Sequence, residues 1–175
     1  MVKVLFVCHG NICRSPMAEF IFKDLVIKSG YTVAGLNGVI REDADFEIAS
    51  GATSREELGN SVYPPAKRKL AEHGIGTADN ELGVAAKRAR QITMTDYDYY
   101  DYIILMDHNN LRNMHRMFGE CVDTDGKVHL MLEYAGRPGE EVADPWYTGN
   151  FDETWNDVLE GCYGLLDELG YGIKL

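Results

Sequence analysis

The first thirty residues place the strongest constraint on what this chain can fold into. Residues 2–7 are apolar and β-branched except for one lysine, a pattern typical of a strand buried on both faces. Residues 15–30 carry the signals of a helix, with Ser15 as N-cap, Pro16 at the first helical position and Gly30 after the last turn. A strand, a tight turn and a helix in this order predict the first unit of an open α/β sheet.

The turn between this strand and this helix is suited to hold an anion. Its sequence is Cys8-His9-Gly10-Asn11-Ile12-Cys13-Arg14. A turn in this position presents backbone N–H groups and the positive end of the helix to a bound anion. Arg14 adds a planar fork of donors that matches two oxygens of a phosphate. Gly10 permits a tight turn, and Asn11 tolerates a left-handed conformation.

Cys8 makes the turn chemically reactive. It stands at the carboxyl end of the first strand, where amide donors and a guanidinium favour the nucleophilic thiolate, and the Ser15 hydroxyl would support that thiolate as a leaving group. A cysteine at a strand end is more often a buried core residue. Five residues between Cys8 and Arg14, however, are the number needed to wrap one tetrahedral oxyanion, so the spacing favours phosphate chemistry.

The segment VLFVCHGNICRSPMAE resembles the signature of the low-molecular-weight protein tyrosine phosphatases, in which a cysteine, five residues, an arginine and a serine follow the first strand. The resemblance continues through residues 50–75, 89–93, 96–114 and 142–155. It implies a single low-molecular-weight phosphatase-like domain over residues 1–175. It also implies an α/β fold, doubly wound, with a central parallel sheet of about four strands flanked by helices and the phosphate loop after strand 1.

The resemblance assigns roles to individual residues. Cys8 matches the nucleophile, Arg14 the phosphate-binding arginine and Asp144 the general acid on a late loop. The residues expected to bind phosphate are His9, Gly10, Asn11, Ile12, Cys13, Arg14 and Ser15. The residues expected to form a hydrogen-bonded network that supports the loop are Asn11, Ser15, Ser50 and His73.

The surroundings of Asp144 predict a substrate cleft. One acid among 28 would ordinarily be a solvated loop carboxylate. Here Trp146 and Tyr147 would shield it from water, which favours its protonated form, and would wall a cleft deep enough for phosphotyrosine. Glu56 departs from the aromatic lid residue that is frequent in the family, so one wall of the cleft is expected to be polar.

Two residues of the turn bear on specificity and redox behaviour. Family members that act on phosphoarginine tend to carry threonine at the position of Ile12, so Ile12 favours phosphotyrosine. Cys13 is either an apolar filler or a redox partner that would trap an oxidised Cys8 as a disulfide; we favour the second interpretation. The histidines and cysteines do not cluster in a metal-binding pattern, and no metal or other cofactor is predicted.

Composition narrows the class of protein. The chain has 175 residues, 45% of them hydrophobic, and a formal charge of −11, which argues against nucleic acid or an anionic membrane as partner. Four cysteines do not suggest a disulfide framework, and no apolar run approaches the roughly 20 residues of a membrane span. No signal sequence is evident, so we predict reduced thiols and a cytoplasmic location. The oligomeric state is not predicted.

Later segments alternate between strand and helix patterns, which indicates a parallel sheet. Strands are predicted at residues 46–49, 92, 102–106 and 128–132, helices at 64–74, 109–118 and 151–169, and a loop at 31–45.

The sequence therefore predicts hydrolysis of a phosphotyrosine protein or an aryl phosphate through a cysteinyl-phosphate intermediate, with inorganic phosphate as product. Three alternatives remain: an arsenate reductase of the same fold, a protein arginine phosphatase and a non-catalytic phosphopeptide binder. The reductase needs two further thiols close together, and residues 82–93, where they are most expected, contain none. A binder would not need a nucleophile.

Overall fold

The computed structural model describes residues 1–120, 122 and 124–171. A four-stranded sheet has the order β2-β1-β3-β4, and all three neighbouring pairs are parallel. The strands are β1 (Val2–Cys8), β2 (Phe46–Ala52), β3 (Tyr102–Leu105) and β4 (Val128–Leu130). The helices are α1 (Arg14–Lys28), α2 (Pro64–Glu72), α3 (Met94–Tyr99), α4 (His108–Phe118), α5 (Pro145–Thr148) and α6 (Phe151–Glu168). The predicted α/β class with a parallel sheet is confirmed.

Strand β1 lies at the centre of the sheet and supplies both halves of the core. Val4, Phe6 and Cys8 face a cluster built with α1, α2 and α6, while Leu5 and Val7 face a second cluster built with α3 and α4. Helices therefore cover both faces, and this explains the unbroken apolar run of β1. The sheet is doubly wound, as predicted.

The register of the sheet gathers the chemistry at one edge. Cys8 lies opposite Ala52 at the end of β2, and its neighbour Val7 lies opposite Leu105 at the end of β3. The carboxyl ends of parallel strands meet at the same edge, where open α/β sheets place their ligands. The loops that follow β1, β2 and β3 are thereby brought together.

Helix α1 begins earlier than the sequence predicts. Arg14 is its first residue and Cys13 its N-cap, so Pro16 occupies the third helical position rather than the first. The Ser15 hydroxyl does not cap the helix because it contacts Cys8 and Asn11 instead. Pro16 is tolerated because the first turn of a helix needs no intrahelical N–H donors.

Several boundaries and two short helices differ from the prediction. Strand β2 extends to Ala52, β4 ends at Leu130 where a 3₁₀ turn begins, and Ile92 forms no strand. The predicted loop 31–45 contains a 3₁₀ turn, Arg41–Asp43. Helix α3 was missed although Thr93 and Asp96 form a capping box at its start, and α5 was missed although it begins directly after Asp144. Among the described residues, no helix has both the length and the apolar character needed to cross a bilayer.

Helix α6 approaches the segment after β4 so closely that glycine is required. A Cβ on Gly161 would lie 2.9 Å from the carbonyl oxygen of Met131. A Cβ on Gly164 would overlap the carbonyl oxygen of Tyr134. The two glycines let the helix come close to the backbone of this segment, and this contact fixes how α6 closes the core.

We predict that Gly164→Ala destabilises the protein although alanine is the better helix former. The added methyl group must displace backbone, which should cost about 1–3 kcal/mol. This outweighs a gain in helix propensity of about 1 kcal/mol. The measurement is urea unfolding followed by circular dichroism. Asn156→Ala, at an exposed position of the same helix, serves as control and should change stability by less than about 0.5 kcal/mol. A Gly164→Ala protein as stable as wild type would contradict the close approach.

Candidate active site

One cleft lies at the carboxyl edge of the sheet. Its lining residues are Cys8, His9, Gly10, Ile12, Cys13, Arg14, Glu56, Glu57, Asp144, Trp146 and Tyr147. The predicted nucleophile, arginine and acid therefore share one cleft with the predicted wall residues. Asn11 and Ser15, also predicted to bind phosphate, are buried and do not line it.

Backbone hydrogen bonds to neighbouring segments hold the 8–14 loop in shape. The carbonyl oxygens of Cys8, His9 and Ile12 accept hydrogen bonds from amide groups outside the loop. The donors, at 3.0, 3.0 and 2.9 Å, are Thr53, Ser54 and Tyr63. A trans peptide unit points its C=O and N–H groups in opposite directions. The amide groups that follow these carbonyls therefore point into the loop, where they would meet an anion.

The Cys8 sulfur makes hydrogen bonds with the loop and with the start of α1. The Asn11 amide donates to Cys8 Sγ over 3.3 Å, and Ser15 Oγ lies 3.0 Å from the same sulfur. Asn11 has a φ of 59°, so the predicted left-handed conformation is confirmed. Cys8 is 3% exposed, and its position at the end of β1 places it at the base of the cleft.

The side chain of Asn11 joins three elements behind the loop. Asn11 Nδ2 donates to Ser15 Oγ at 2.8 Å and to Ser50 Oγ at 2.9 Å, while its Oδ1 accepts from the Arg90 amide at 3.2 Å. All three side chains of this network, those of Asn11, Ser15 and Ser50, are buried. The structure thus brings together three of the four residues that were expected to support the loop.

His73 is the fourth of those residues, and the prediction for it is wrong. His73 is exposed at the C-terminal end of α2 and stacks on Trp155 with ring centroids 3.6 Å apart. A buried ion pair contacts Ser50 instead. Glu19 accepts from Ser50 Oγ at 2.6 Å, and Lys87 donates to the Ser50 carbonyl oxygen at 2.9 Å.

Neither Glu19 nor Lys87 was among the predicted site residues. An acid inside the buried first turns of α1 is a detectable signal, because carboxylates are rarely buried without partners. Lys87 gives no local signal, since lysine is ordinarily an exposed residue and both of its neighbours, Ala86 and Arg88, are exposed.

Arg14 is anchored by two acids and a carbonyl. Its Nη1 donates to Asp107 Oδ2 at 2.7 Å and to the Val142 carbonyl oxygen at 2.9 Å, and its Nη2 lies 3.5 Å from Asp144 Oδ2. Burial acts to lower the pKa of Arg14, but the charges of Cys8, Asp107 and Asp144 outweigh it and raise that pKa above its ordinary value. Arg14 is therefore a fixed cation.

Asp107 was not singled out by the sequence analysis. It caps α4 by accepting from the Asn110 amide at 2.8 Å, and its second oxygen holds Arg14. An aspartate just after an apolar strand, with a capping partner three residues on, is a signal that could have identified it.

Asp144 lies at the start of a helix rather than on an irregular loop. Its Oδ1 accepts from the Trp146 amide at 3.0 Å as the N-cap of α5. Its side chain is 26% exposed, so it is accessible from the cleft. Trp146 packs against Tyr63 with ring centroids 4.8 Å apart, and Tyr147 is 84% exposed. Both aromatic residues line the cleft and remain accessible to a substrate.

The wall that carries Glu56 is acidic. Glu56 is exposed, and its carboxylate lies 3.0 Å from His9 Nε2. Glu57 packs beside Gly10, where an added Cβ would come within 3.3 Å of the glutamate side chain. One side of the cleft is thus aromatic and the other polar and charged.

Cys13 is a buried free thiol next to the reactive loop. Burial, followed by the charges of Cys8 and Asp144, raises the pKa of Cys13 well above its ordinary value. Cys13 is therefore a protonated thiol at neutral pH, and its proposed disulfide with Cys8 stays a prediction. Cys162 is buried in α6, and Cys121 lies outside the described residues.

Comparison with known proteins identifies the family. The model of the low molecular weight phosphotyrosine protein phosphatases matches residues 3–174. The low molecular weight protein-tyrosine-phosphatase YfkJ of Bacillus subtilis is 38% identical over 167 residues, which cover 95% of this chain and 94% of that protein.

Solved structures agree with the sequence comparison. A low molecular weight protein tyrosine phosphatase from Streptococcus pyogenes matches with a TM-score of 0.73 and 37% identity, covering 97% of this chain and 93% of that one. A drosophila arginine phosphatase matches with a TM-score of 0.75 and 29% identity, covering 96% and 98% of the two chains. The chain therefore belongs to the low molecular weight phosphotyrosine protein phosphatase family.

Proposed function

We propose that this protein hydrolyses phosphotyrosine in proteins through a cysteinyl-phosphate intermediate. The observation that carries the proposal is that the Cys8 sulfur, the Arg14 guanidinium and the Asp144 carboxylate line one cleft. Residues that only bound a phosphopeptide would not need a nucleophile at the base of the site. Family membership supports the same reaction.

In the first step, the phosphate dianion binds the inward-pointing amide groups and Arg14. Asp107 and Val142 hold the Nη1 group of Arg14. Its Nε group and its Nη2 group, which lies 3.5 Å from Asp144 Oδ2, are the donors that would meet the phosphate oxygens. Cys8 Sγ attacks phosphorus, and the bond from phosphorus to the tyrosine oxygen breaks. Asp144 donates its proton to that oxygen, so the leaving group departs as neutral tyrosine.

In the second step, water releases the phosphate. The Asp144 carboxylate accepts a proton from a water molecule, whose oxygen attacks phosphorus as the sulfur–phosphorus bond breaks. The Ser15 hydroxyl, 3.0 Å from Cys8 Sγ, supports the departing thiolate. Inorganic phosphate leaves, and no metal or organic cofactor takes part in these steps.

The walls of the cleft support phosphotyrosine as substrate. Trp146 and Tyr147 extend the cleft outward, so that a long aromatic side chain reaches Cys8 more easily than phosphoserine does. Phosphoarginine is the second candidate, because a relative named as an arginine phosphatase has the same fold. Ile12 favours phosphotyrosine over phosphoarginine. We also propose a cytoplasmic location, where the thiols would stay reduced.

We predict that the protein hydrolyses p-nitrophenyl phosphate without added metal and that Cys8→Ser lowers kcat by about 10³-fold or more, because serine is not ionised at neutral pH. Release of p-nitrophenol measures the rate, and circular dichroism checks that the variant is folded. A folded Cys8→Ser protein with wild-type turnover would disprove the mechanism.

We predict that Asp144→Asn lowers kcat by about 10²–10⁴-fold for a basic phenol, because asparagine cannot donate the proton. The loss should shrink as the phenol becomes more acidic, since a stable phenolate leaves without protonation. A series of aryl phosphates with phenols of different pKa gives the measurement. An equal loss across the series would remove Asp144 as the acid.

A further inference from the structure

A buried ion pair lies behind the 8–14 loop and does not line the cleft. Glu19 of α1 and Lys87 have side chains that are 6% and 12% exposed, with Lys87 Nζ 3.7 Å from Glu19 Oε1. Lys23 lies 2.6 Å from the other oxygen, Glu19 Oε2. Each carboxylate oxygen therefore faces an ammonium group, so the buried carboxylate of Glu19 is paired on both sides.

The ionised carboxylate determines the direction of the hydrogen bonds that start from it. Glu19 can only accept, so the Ser50 hydroxyl must donate to it across 2.6 Å. Ser50 Oγ is then free to accept from Asn11 Nδ2 at 2.9 Å. From the other side, the amide of Arg90 donates to Asn11 Oδ1 at 3.2 Å. The orientation of the Asn11 amide is thus fixed at both ends.

The series of hydrogen bonds continues in the same direction to the Cys8 sulfur. Asn11 Nδ2 donates to Ser15 Oγ at 2.8 Å, so the Ser15 oxygen is an acceptor there and its own hydrogen is available for another group. Cys8 Sγ lies 3.0 Å from Ser15 Oγ, closer than the alternative acceptor, the Gly51 carbonyl oxygen at 3.5 Å. The Ser15 hydroxyl therefore donates to the sulfur, and a donor at this position stabilises a thiolate.

Lys87 differs from Lys23 in what it connects. Lys23 is on the same helix as Glu19, whereas Lys87 comes from a distant segment and also donates to the Ser50 carbonyl oxygen at 2.9 Å. Lys87 thus contacts both the Glu19 carboxylate and the backbone of Ser50, the residue that donates a hydrogen bond to that carboxylate. Burial lowers the pKa of Lys87, although the charge of Glu19 acts to raise it. Burying an ammonium group costs desolvation free energy. The buried ion pair is therefore weak evidence that Lys87 serves only to stabilise the fold.

We propose that Lys87 is a positioning residue: by pairing with Glu19 and holding Ser50, it fixes the direction of the hydrogen-bond chain that makes Ser15 donate to the Cys8 thiolate. The inference rests on the proposed function, in which Cys8 is the nucleophile.

Other charged groups lie near the two ends of this hydrogen-bond chain. Arg90 lies near Lys87 and is paired with Asp96 at 2.8 Å, and its charge also interacts with that of Glu19. The sulfur of Cys8 interacts with Arg14 and Cys13, both of which the test leaves intact. Lys87 also acts on Cys8 through its charge, and the experiment must separate that direct effect from the hydrogen-bond chain.

The experiment measures the rate of Cys8 alkylation by iodoacetamide against pH, with modification of Cys8 identified by peptide mass. The midpoint of this profile reports the thiolate directly and does not require phosphatase activity. We expect Lys87→Met to raise the midpoint by about 0.5–1 pH unit, as loss of one charge-assisted contact does. Lys87→Arg, which keeps the charge and the donors, should restore the wild-type midpoint. If Lys87→Met does not fold, Lys87→Gln replaces it and the same shift is expected.

Two controls decide how Lys87 acts. Lys28→Met removes an exposed lysine of α1 that pairs with Asp24, and it should leave the midpoint unchanged. Ser15→Ala removes the last hydroxyl of the chain. If Lys87 acts through that hydroxyl, Lys87→Met should shift the midpoint much less in the Ser15→Ala background than in wild type.

Three results would overturn the inference. These are an unchanged midpoint in a folded Lys87→Met protein, an equal shift in Lys28→Met, and a full shift of Lys87→Met in the Ser15→Ala background. The last would show a direct effect of charge. If wild type fails to hydrolyse aryl phosphates but the shifts are as expected, the proposed function fails while the role of Lys87 in Cys8 ionisation stands.

Discussion

The conformation of Asn11 is the constraint on which the site depends. Its backbone is left-handed, and its side chain binds Ser15 of α1 and Ser50 of β2 from within the core. A single residue therefore fixes the bend of the loop, the start of the helix and the end of a neighbouring strand. Because these groups are buried, a broken contact would leave an unpaired polar atom, which costs about 1–3 kcal/mol. The loop is thus held ready for an anion before any substrate arrives.

This preorganisation answers an electrostatic problem. The chain carries a formal charge of −11, and the cleft itself contains Glu56, Glu57 and Asp144. Binding of a phosphate dianion must therefore rely on short-range donors, because the global field opposes it. Arg14 supplies the charge, and Asp107 holds it in place at 2.7 Å. The acid beside Arg14 limits its attraction for anions in general and leaves selectivity to the shape of the loop.

The residues that line the cleft fall into two groups of different chemical character. Trp146 and Tyr147 contribute exposed aromatic surface to the cleft, whereas Glu56 and His9 contribute a charged pair. The Cys8 sulfur is buried at the base of the same cleft. Changes in the exposed side chains can therefore alter which proteins are bound without disturbing the nucleophile.

The sequence alone determined the strand, turn and helix around Cys8 and the parallel sheet, because apolar periodicity and turn residues act over short distances along the chain. The gathering of Cys8 and Arg14 with Asp144 was predicted only through the resemblance to the family, since Asp144 lies far from both in sequence. Only the tertiary structure shows that Lys87 lies behind the loop and that His73 lies away from it. Those contacts join residues far apart in sequence, such as Lys87 and Ser50, whose meeting is set by sheet register and helix packing. Local patterns cannot specify such pairs, because a buried charge is recognised only when its partner is known.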